Sequence, residues 1–283
     1  MGNQPGRLEV VATPIGNMGD LSERARDALA GADLVAAEDT RRTLGLLQHL
    51  GLAKPLLSLH AHNESQRLPQ ILAHLANGAR VVLVSDAGTP LLSDPGFELV
   101  RAAVAQGTTV VVVPGPSAIT AALALAGLPV DRFCFEGFLP AGARERRSRL
   151  SALATEDRTM VFFEAPHRIA DSLVDLSTQF GGERQAVIAR ELTKLHETVY
   201  RGTLAELCAV AGQDPNLQRG EITLVVRGAA PVTHGADPTL MRRALELLLR
   251  ELPPGKAAGI AAQLAGGRRS DAYELAMQLS RDR

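Results

Sequence analysis

The chain has 283 residues, 46% of them hydrophobic, with a formal net charge of −1. That length supports a sizeable core and more than one domain. The near-neutral charge gives no bulk electrostatic pull toward nucleic acid or membrane, so any polyanion would have to meet locally concentrated arginines. Cys134 and Cys208 are the only cysteines, too few for a disulfide scaffold or a cysteine-built zinc site, and they read as small buried hydrophobes. No apolar run is long enough to span a bilayer and the N-terminus lacks a signal-peptide series, which gives the expectation of a cytoplasmic protein without a membrane partner.

In chain order, Leu8–Ala12 reads as a strand followed by a Gly-bearing loop through Asn17. Leu21–Ala30 reads as a helix capped near Asp20 or Ser22. Asp33–Ala36 and Pro55–Leu59 read as strands around a helix Thr40–Leu50, which Gly51 stops. Glu64–Ala76 is a helix closed by Asn77-Gly78. Arg80–Ser85 and Thr109–Val113 are apolar enough to be fully buried parallel strands, separated by a helix Pro95–Gln106. Alternation of this kind predicts an α/β domain with a parallel sheet over residues 1–116. From Ser117 a helix runs to about Gly127. Strands then follow at Arg132–Glu136, Thr159–Glu164, Gln185–Arg190, Thr198–Arg201 and Glu221–Arg227, with helices at Arg144–Ala154, His167–Phe180 and Leu204–Ala211. Adjacent strands without intervening helices predict a mixed sheet in a second α/β domain, residues 117–230. Gly228–Pro238 has linker composition, and 238–283 reads as three short helices, Thr239–Glu251, Gly255–Leu264 and Ser270–Arg281.

Three loops carry the chemistry. Ala12-Thr13-Pro14-Ile15-Gly16-Asn17 leaves the first strand, where a glycine lets backbone approach a ligand. Ser85-Asp86-Ala87-Gly88-Thr89-Pro90 leaves a wholly apolar strand, the place where open α/β sheets bind ligands. There Asp86 can accept hydrogen bonds from a ligand hydroxyl or amine and Gly88 removes a steric wall, while Ser93 or Asp94 suits the cap of the next helix. Pro114-Gly115-Pro116-Ser117-Ala118 opens a helix whose first amides can hold a carboxylate.

With these loops, the segments Ala37–Arg41, His60–Glu64, Glu136–Pro140, Glu164–Arg168 and Ala189–Lys194 with His196-Glu197 appear in one order along the chain. As a set they resemble the tetrapyrrole methylase superfamily, and within it the branch that methylates a cytidine 2′-hydroxyl of small-subunit ribosomal RNA. The resemblance runs from Leu8 to Arg227 and continues into a helix-turn-helix-like tail. It implies two α/β domains of the tetrapyrrole methylase type plus a C-terminal helical tail, a homodimer, S-adenosylmethionine as cofactor, no metal, and 16S rRNA or the small ribosomal subunit as partner, with the target in the decoding centre.

Carried over by position, the resemblance implies cofactor contacts at Pro14, Gly16, Asp86, Gly88, Thr89, Ser117 and Ala118, and further ones at Phe163, Leu192 and Ile222. The RNA side would hold Arg41, Arg42, His60, Asn63, His167, Arg168 and Arg190. Where the family pattern has a lysine after Leu139-Pro140, this chain has none; Arg144, Arg146, Arg147 and Arg149 follow instead, the densest basic cluster in the chain. Glu64, Glu191 and Lys194 are the leading candidates for proton handling at the hydroxyl, with Glu38, His60 and Glu164 beside them.

Overall fold

The computed structural model describes residues 6–230 and 237–281. Two compact units divide the chain, Met1–Gly228 and Ala229–Arg283.

The first unit holds both sheets. β1 (Arg7–Val11), α1 (Glu23–Ala30), β2 (Leu34–Ala37), α2 (Thr40–His49), β3 (Leu56–Ser58), α3 (Glu64–Ala76), β4 (Arg80–Val84), α4 (Phe97–Ala105) and β5 (Thr109–Val113) alternate as expected. The five strands form one parallel sheet in the order β3-β2-β4-β1-β5. Side chains of successive residues alternate between two cores. Val11, Val35, Val82 and Val84 meet Ala25, Leu29 and Leu47 on one face. Leu8, Val10, Val81 and Leu83 meet Ile71, Leu75 and Leu99 on the other. Helices cover both faces, which is why the inner strands are mostly apolar; the exception, buried Glu9 of β1, is paired with Arg7 and Arg80.

Two readings need correction. β5 is not fully buried: it pairs only with β1 at the sheet edge, and Val112 is 57% exposed. Its valines reflect strand propensity, which an edge strand shares with a central one. The helix expected from Pro95 starts at Phe97 with Gly96 at the cap in a left-handed conformation, φ +117°, so neither Ser93 nor Asp94 caps it.

The second sheet follows. α5 (Ala118–Ala126), β6 (Phe133–Phe138), α6 (Ala143–Leu153), β7 (Thr159–Glu164), α7 (Ile169–Phe180), β8 (Gln185–Arg190), β9 (Thr198–Thr203), α8 (Leu204–Gln213) and β10 (Ile222–Val226) give the strand order β6-β7-β10-β8-β9. β6 and β7 are parallel; the other neighbours are antiparallel, so the sheet is mixed. One face packs Met160, Phe162, Ile188 and Leu224 against Leu150, Leu173 and Leu207 of α6, α7 and α8. The opposite face packs Val161, Val187 and Val225 against Ile119, Ala122 and Leu123 of α5, together with Ile15 and Leu192.

The second unit contains α9 (Pro238–Leu248), α10 (Pro254–Ala265) and α11 (Arg269–Arg281). Alanines at 257, 258, 261, 262 and 265 of α10 let its neighbours approach closely around Met241 and Leu245. Asp237 caps α9 by accepting the amides of Thr239 and Leu240. The linker expected at Gly228–Pro238 lies in part outside the described residues.

Candidate active site

The loops leaving β1, β4 and β5 are tied to one another at the carboxyl ends of their strands. The Thr13 amide donates to the Gly88 carbonyl at 2.9 Å, and the Gly88 amide returns a bond to Thr13 at 3.0 Å. The Thr89 hydroxyl donates to the Pro116 carbonyl at 3.2 Å. Gly88 has φ +79°, and a Cβ there would lie 3.3 Å from Ile15 Cγ2. Only glycine satisfies both constraints without strain.

These loops form one wall of a cavity of about 480 Å³, within the range of small-molecule sites. The other wall comes from the matching edge of the second sheet: Phe138 and Phe163 at the ends of β6 and β7, Ala189 and Leu192 at the end of β8, and Gly220 to Thr223 at the start of β10. Because β10 runs antiparallel to β7 and β8, its beginning lies where their ends do.

Glu38, Asp86 and Asp94 converge on the first wall with Arg42. Asp86 accepts the Asp39 amide through Oδ1 at 2.9 Å, and Arg42 Nε lies 3.5 Å from Oδ2. Burial raises the Glu38 pKa, and the Asp86 charge adds to the effect against a backbone hydrogen bond from Asp86. Asp94 is pushed up to about 6, first by burial and then by the Glu38 charge, with the Ser85 hydroxyl opposing. Leu91 and Ser93 take positive φ values of 74° and 71° on either side of Leu92, in the loop that presents Asp94. Non-glycine residues adopt such values uncommonly, and Glu191 and Thr193 in the loop after β8 are the other described residues that do.

Of the cofactor positions, Asp86, Gly88, Thr89, Ser117, Ala118, Phe163, Leu192 and Ile222 line the cavity. Pro14 and Gly16 do not; Ile15 between them does. Gly16 meets the loop after β8, where a Cβ would fall 2.4 Å from Lys194 Cγ, so its smallness serves the junction of the two loops.

The proton-handling candidates sit differently from expectation. Glu64 is 9% exposed and accepts the Leu99 amide at 3.1 Å, tying α3 to the first turn of α4 away from the cavity lining. Glu191 accepts Lys194 Nζ at 2.7 Å and the Glu221 amide at 2.9 Å, and its pKa is lowered despite burial. Lys194 also reaches Glu221 at 2.9 Å. The pair braces a loop; a carboxylate held ionised in this way is a poor base. Glu38 and Glu164 do line the cavity, but Glu164 is taken up by the Ser172 hydroxyl, the Ala165 amide and Arg168.

The arginines also separate. Arg146 is 5% exposed and paired with Asp175 at 2.8 Å, and Arg190 is 8% exposed, donating to the carbonyls of Arg219 and His196. Neither presents its charge to a polyanion. Arg168 turns Nη2 to the Leu139 and Pro140 carbonyls and sets Nε 3.3 Å from Glu164. Asn63 shapes its own loop, accepting from the His60 amide at 2.8 Å and donating to Ser58. His60 packs edge-on to His62 with 6.0 Å between ring centres. Arg41, Arg42, Arg144, Arg147 and His167 are exposed. Sequence reasoning assigned no ligand role to Asp94 or Phe138: Asp94 resembled a helix cap, and Phe138 lay beyond the expected strand end at Glu136, in a segment that carried the resemblance without a role of its own.

Comparison with known proteins places these features in context. The profile of the Tetrapyrrole (Corrin/Porphyrin) Methylases matches residues 7–208, and that of the RsmI C-terminal HTH domain matches residues 235–280. Ribosomal RNA small subunit methyltransferase I of Xylella fastidiosa strain Temecula1 is 54% identical over 95% of this chain and 98% of its own. The proteins of that name from Pseudomonas aeruginosa and Escherichia coli O157:H7 are 52% and 46% identical, covering 96% and 98% of this chain and 97% and 96% of theirs. Among solved structures, the methyltransferase CobJ superimposes with a TM-score of 0.59 at 23% identity, over 80% of this chain and 95% of that one. A uroporphyrin-III C-methyltransferase from Thermus thermophilus complexed with S-adenyl homocysteine gives 0.54 at 18% identity, over 78% and 96%. The structural likeness carries the fold. Among the described residues no helix is long and apolar enough to cross a membrane.

Proposed function

Because the chain belongs to the ribosomal RNA small subunit methyltransferase I family of tetrapyrrole methylases, we propose that it transfers a methyl group from S-adenosylmethionine to the 2′-hydroxyl of a cytidine in the decoding centre of 16S rRNA. The observation that carries this reading is the cavity between the two sheet edges, into which eight of the positions expected for the cofactor converge.

The residues present fit that cofactor. Gly88 keeps a wall open that a Cβ would fill, and Asp86 and Glu38 offer acceptors for hydroxyl and amino groups. Phe163, Leu192 and Ile222 supply an apolar floor. When bound, S-adenosylmethionine brings a methyl group on a sulfonium sulfur, an already activated electrophile. The task left to the protein is alignment of the ribose oxygen and removal of its proton. Glu38 and Asp94 are the cavity carboxylates with raised pKa, and we assign the proton to this pair. Exposed Arg41, Arg42, Arg144, Arg147 and His167 serve RNA phosphates in this reading.

Self-association fits the edge strand β5 and the adjoining α4, where Val112 of the strand and Phe97 and Val104 of the helix are all more than half exposed. Light scattering at twice the protomer mass is the expected result; a protomer mass at micromolar concentration would remove this part.

The deciding experiment is transfer of labelled methyl to purified small ribosomal subunits, with the product nucleoside identified by mass spectrometry. 2′-O-methylcytidine is the expected product. Transfer to no RNA, with cofactor still bound, would overturn the assignment.

A further inference from the structure

β6 contains an irregularity beside the cavity. Phe133, Cys134 and Phe135 pair with Thr159, Met160 and Val161 of β7, after which Gly137 and Phe138 pair with Phe162 and Phe163. Glu136 is therefore an extra residue, a β-bulge. In an unbroken strand Phe138 would point to the face opposite Phe135, because side chains alternate with period two. The bulge reverses that parity and delivers Phe138 to the face of Phe135 and Phe163. Phe163 packs edge-on to both, with ring centres at 4.9 Å from Phe135 and 5.6 Å from Phe138.

The bulge is held from both sides. Gly137 has φ +69°, and a Cβ on it would lie 3.3 Å from Ser93 Oγ of the loop after β4. Glu136 turns the other way and pairs with Arg149 of α6. Bulges of this kind re-aim side chains next to active sites. Here the re-aimed ring lines the cavity yet stays 57% exposed, so it is not there for the core. The chain has no Trp and two Tyr, and among the described residues that line the cavity Phe138 and Phe163 are the only aromatic ones. Phe163 is the inner of the two; Phe138 is the rim residue, more than half exposed.

We propose that Phe138 is the stacking platform that holds the base of the acceptor nucleotide while its ribose enters the cavity. The assignment rests on the RNA-methylating reading above. A single exposed ring suits a nucleotide drawn out of its strand, since every base has a π-face and stacking needs no sequence-specific hydrogen bond. It also explains how a near-neutral chain with few aromatics can orient a nucleobase: phosphate contacts set register and the ring sets the plane of the base.

The test uses Phe138→Ala, Phe138→Tyr and Phe138→Trp in the full chain. With purified small subunits, Phe138→Ala is expected to raise KM for the subunit roughly 10- to 100-fold, the usual loss on removing one stacked base. Phe138→Tyr restores it, and cofactor affinity by calorimetry stays at the wild-type value in every variant. Phe138→Trp introduces the sole tryptophan. Its fluorescence should be quenched by a short cytidine oligonucleotide and not by an abasic strand of equal length. Cofactor affinity falling in step with KM would make Phe138 a cofactor contact and overturn the proposal. So would an unchanged KM, or equal quenching by the abasic strand. Should the wild-type protein transfer no methyl to RNA, the function proposed above fails, while the quenching comparison still decides whether the ring stacks on a base.

Discussion

The two sheets contribute opposite things to one cavity. The parallel sheet supplies backbone and charge: loops leave β1, β4 and β5 at the same edge because parallel strands all end there, and Glu38, Asp86 and Asp94 ride on or beside that edge. The mixed sheet supplies surface: Phe138, Phe163, Ala189, Leu192 and Ile222 are strand-end side chains, mostly apolar. Its charged residues near the cavity are largely consumed internally, as Glu191 is by Lys194 and Glu164 by Ser172 and Arg168. The first wall therefore offers titratable groups to the cavity, and the second offers mainly apolar surface.

The largest expected effect follows from that division. Glu38→Gln combined with Asp94→Asn should lower kcat about 100- to 10,000-fold, the range for loss of a positioned base. Glu191→Gln should act on stability before it acts on rate. A rate loss from Glu191→Gln equal to that of the double variant, at unchanged melting temperature, would move the chemistry to the second wall.

Next in size is the contrast among neighbouring arginines of α6. Arg146→Ala leaves Asp175 buried without its main partner and should cost about 3–5 kcal/mol of stability, read from chemical denaturation. Arg144→Ala, two residues away on the opposite, exposed side of the helix, should leave stability alone and reduce the salt slope of RNA binding by about 1. Reversed outcomes would mean that the charge facing RNA comes from the wrong side of the helix.

Third, Asp86→Ala should weaken S-adenosylmethionine binding roughly 10- to 100-fold by calorimetry, as expected for loss of a charged hydrogen-bond partner. Asp86 also accepts the Asp39 amide, so the same titration at unchanged melting temperature separates ligand contact from loop repair. Unaltered affinity would leave Asp86 with its structural bonds alone.

How much of this was legible in the sequence depended on which wall is considered. Strand and helix bounds in both sheets fall within a few residues of expectation, because apolar runs and Gly stops are local signals. The three loops were legible for the same reason: polar, Gly/Pro-rich segments directly after apolar strands. The second wall was not. Phe138 changes face only because a bulge inserts Glu136, and strand alternation read without β7 gives the wrong parity. Arg146 and Arg190 looked like exposed charge, since nothing local tells which face of an arginine-rich helix turns inward or that two carbonyls wait for a guanidinium. Glu64 looked like a proton-handling acid at a helix start but accepts the Leu99 amide of α4, a partner 35 residues away. Asp94 was hidden by its neighbours: Ser-Asp-Pro-Gly spells a helix start, and only the positive φ values around it show the segment turned toward the cavity.

The smallest effect tests that last point on stability alone. In the folded chain Asp94 takes up its proton at about pH 6, against 3.8 for an ordinary aspartate. Between those values the folded state holds a proton that the unfolded chain has released, so folding is favoured by acidification across that window. The contribution is complete below the ordinary value and is lost as pH rises through the folded one. Above it, the wild-type protein carries a half-buried charge facing Glu38 and Asp86, and Asp94→Asn carries none. The variant should therefore be more stable than wild type at neutral pH, by about 1 kcal/mol or less once solvent screening of a partly exposed group is allowed for. The gap should close as pH falls from about 6 toward about 4. A gap of constant size across that range would mean that asparagine gains a new contact, and that Asp94 pays no electrostatic cost for its place in the first wall.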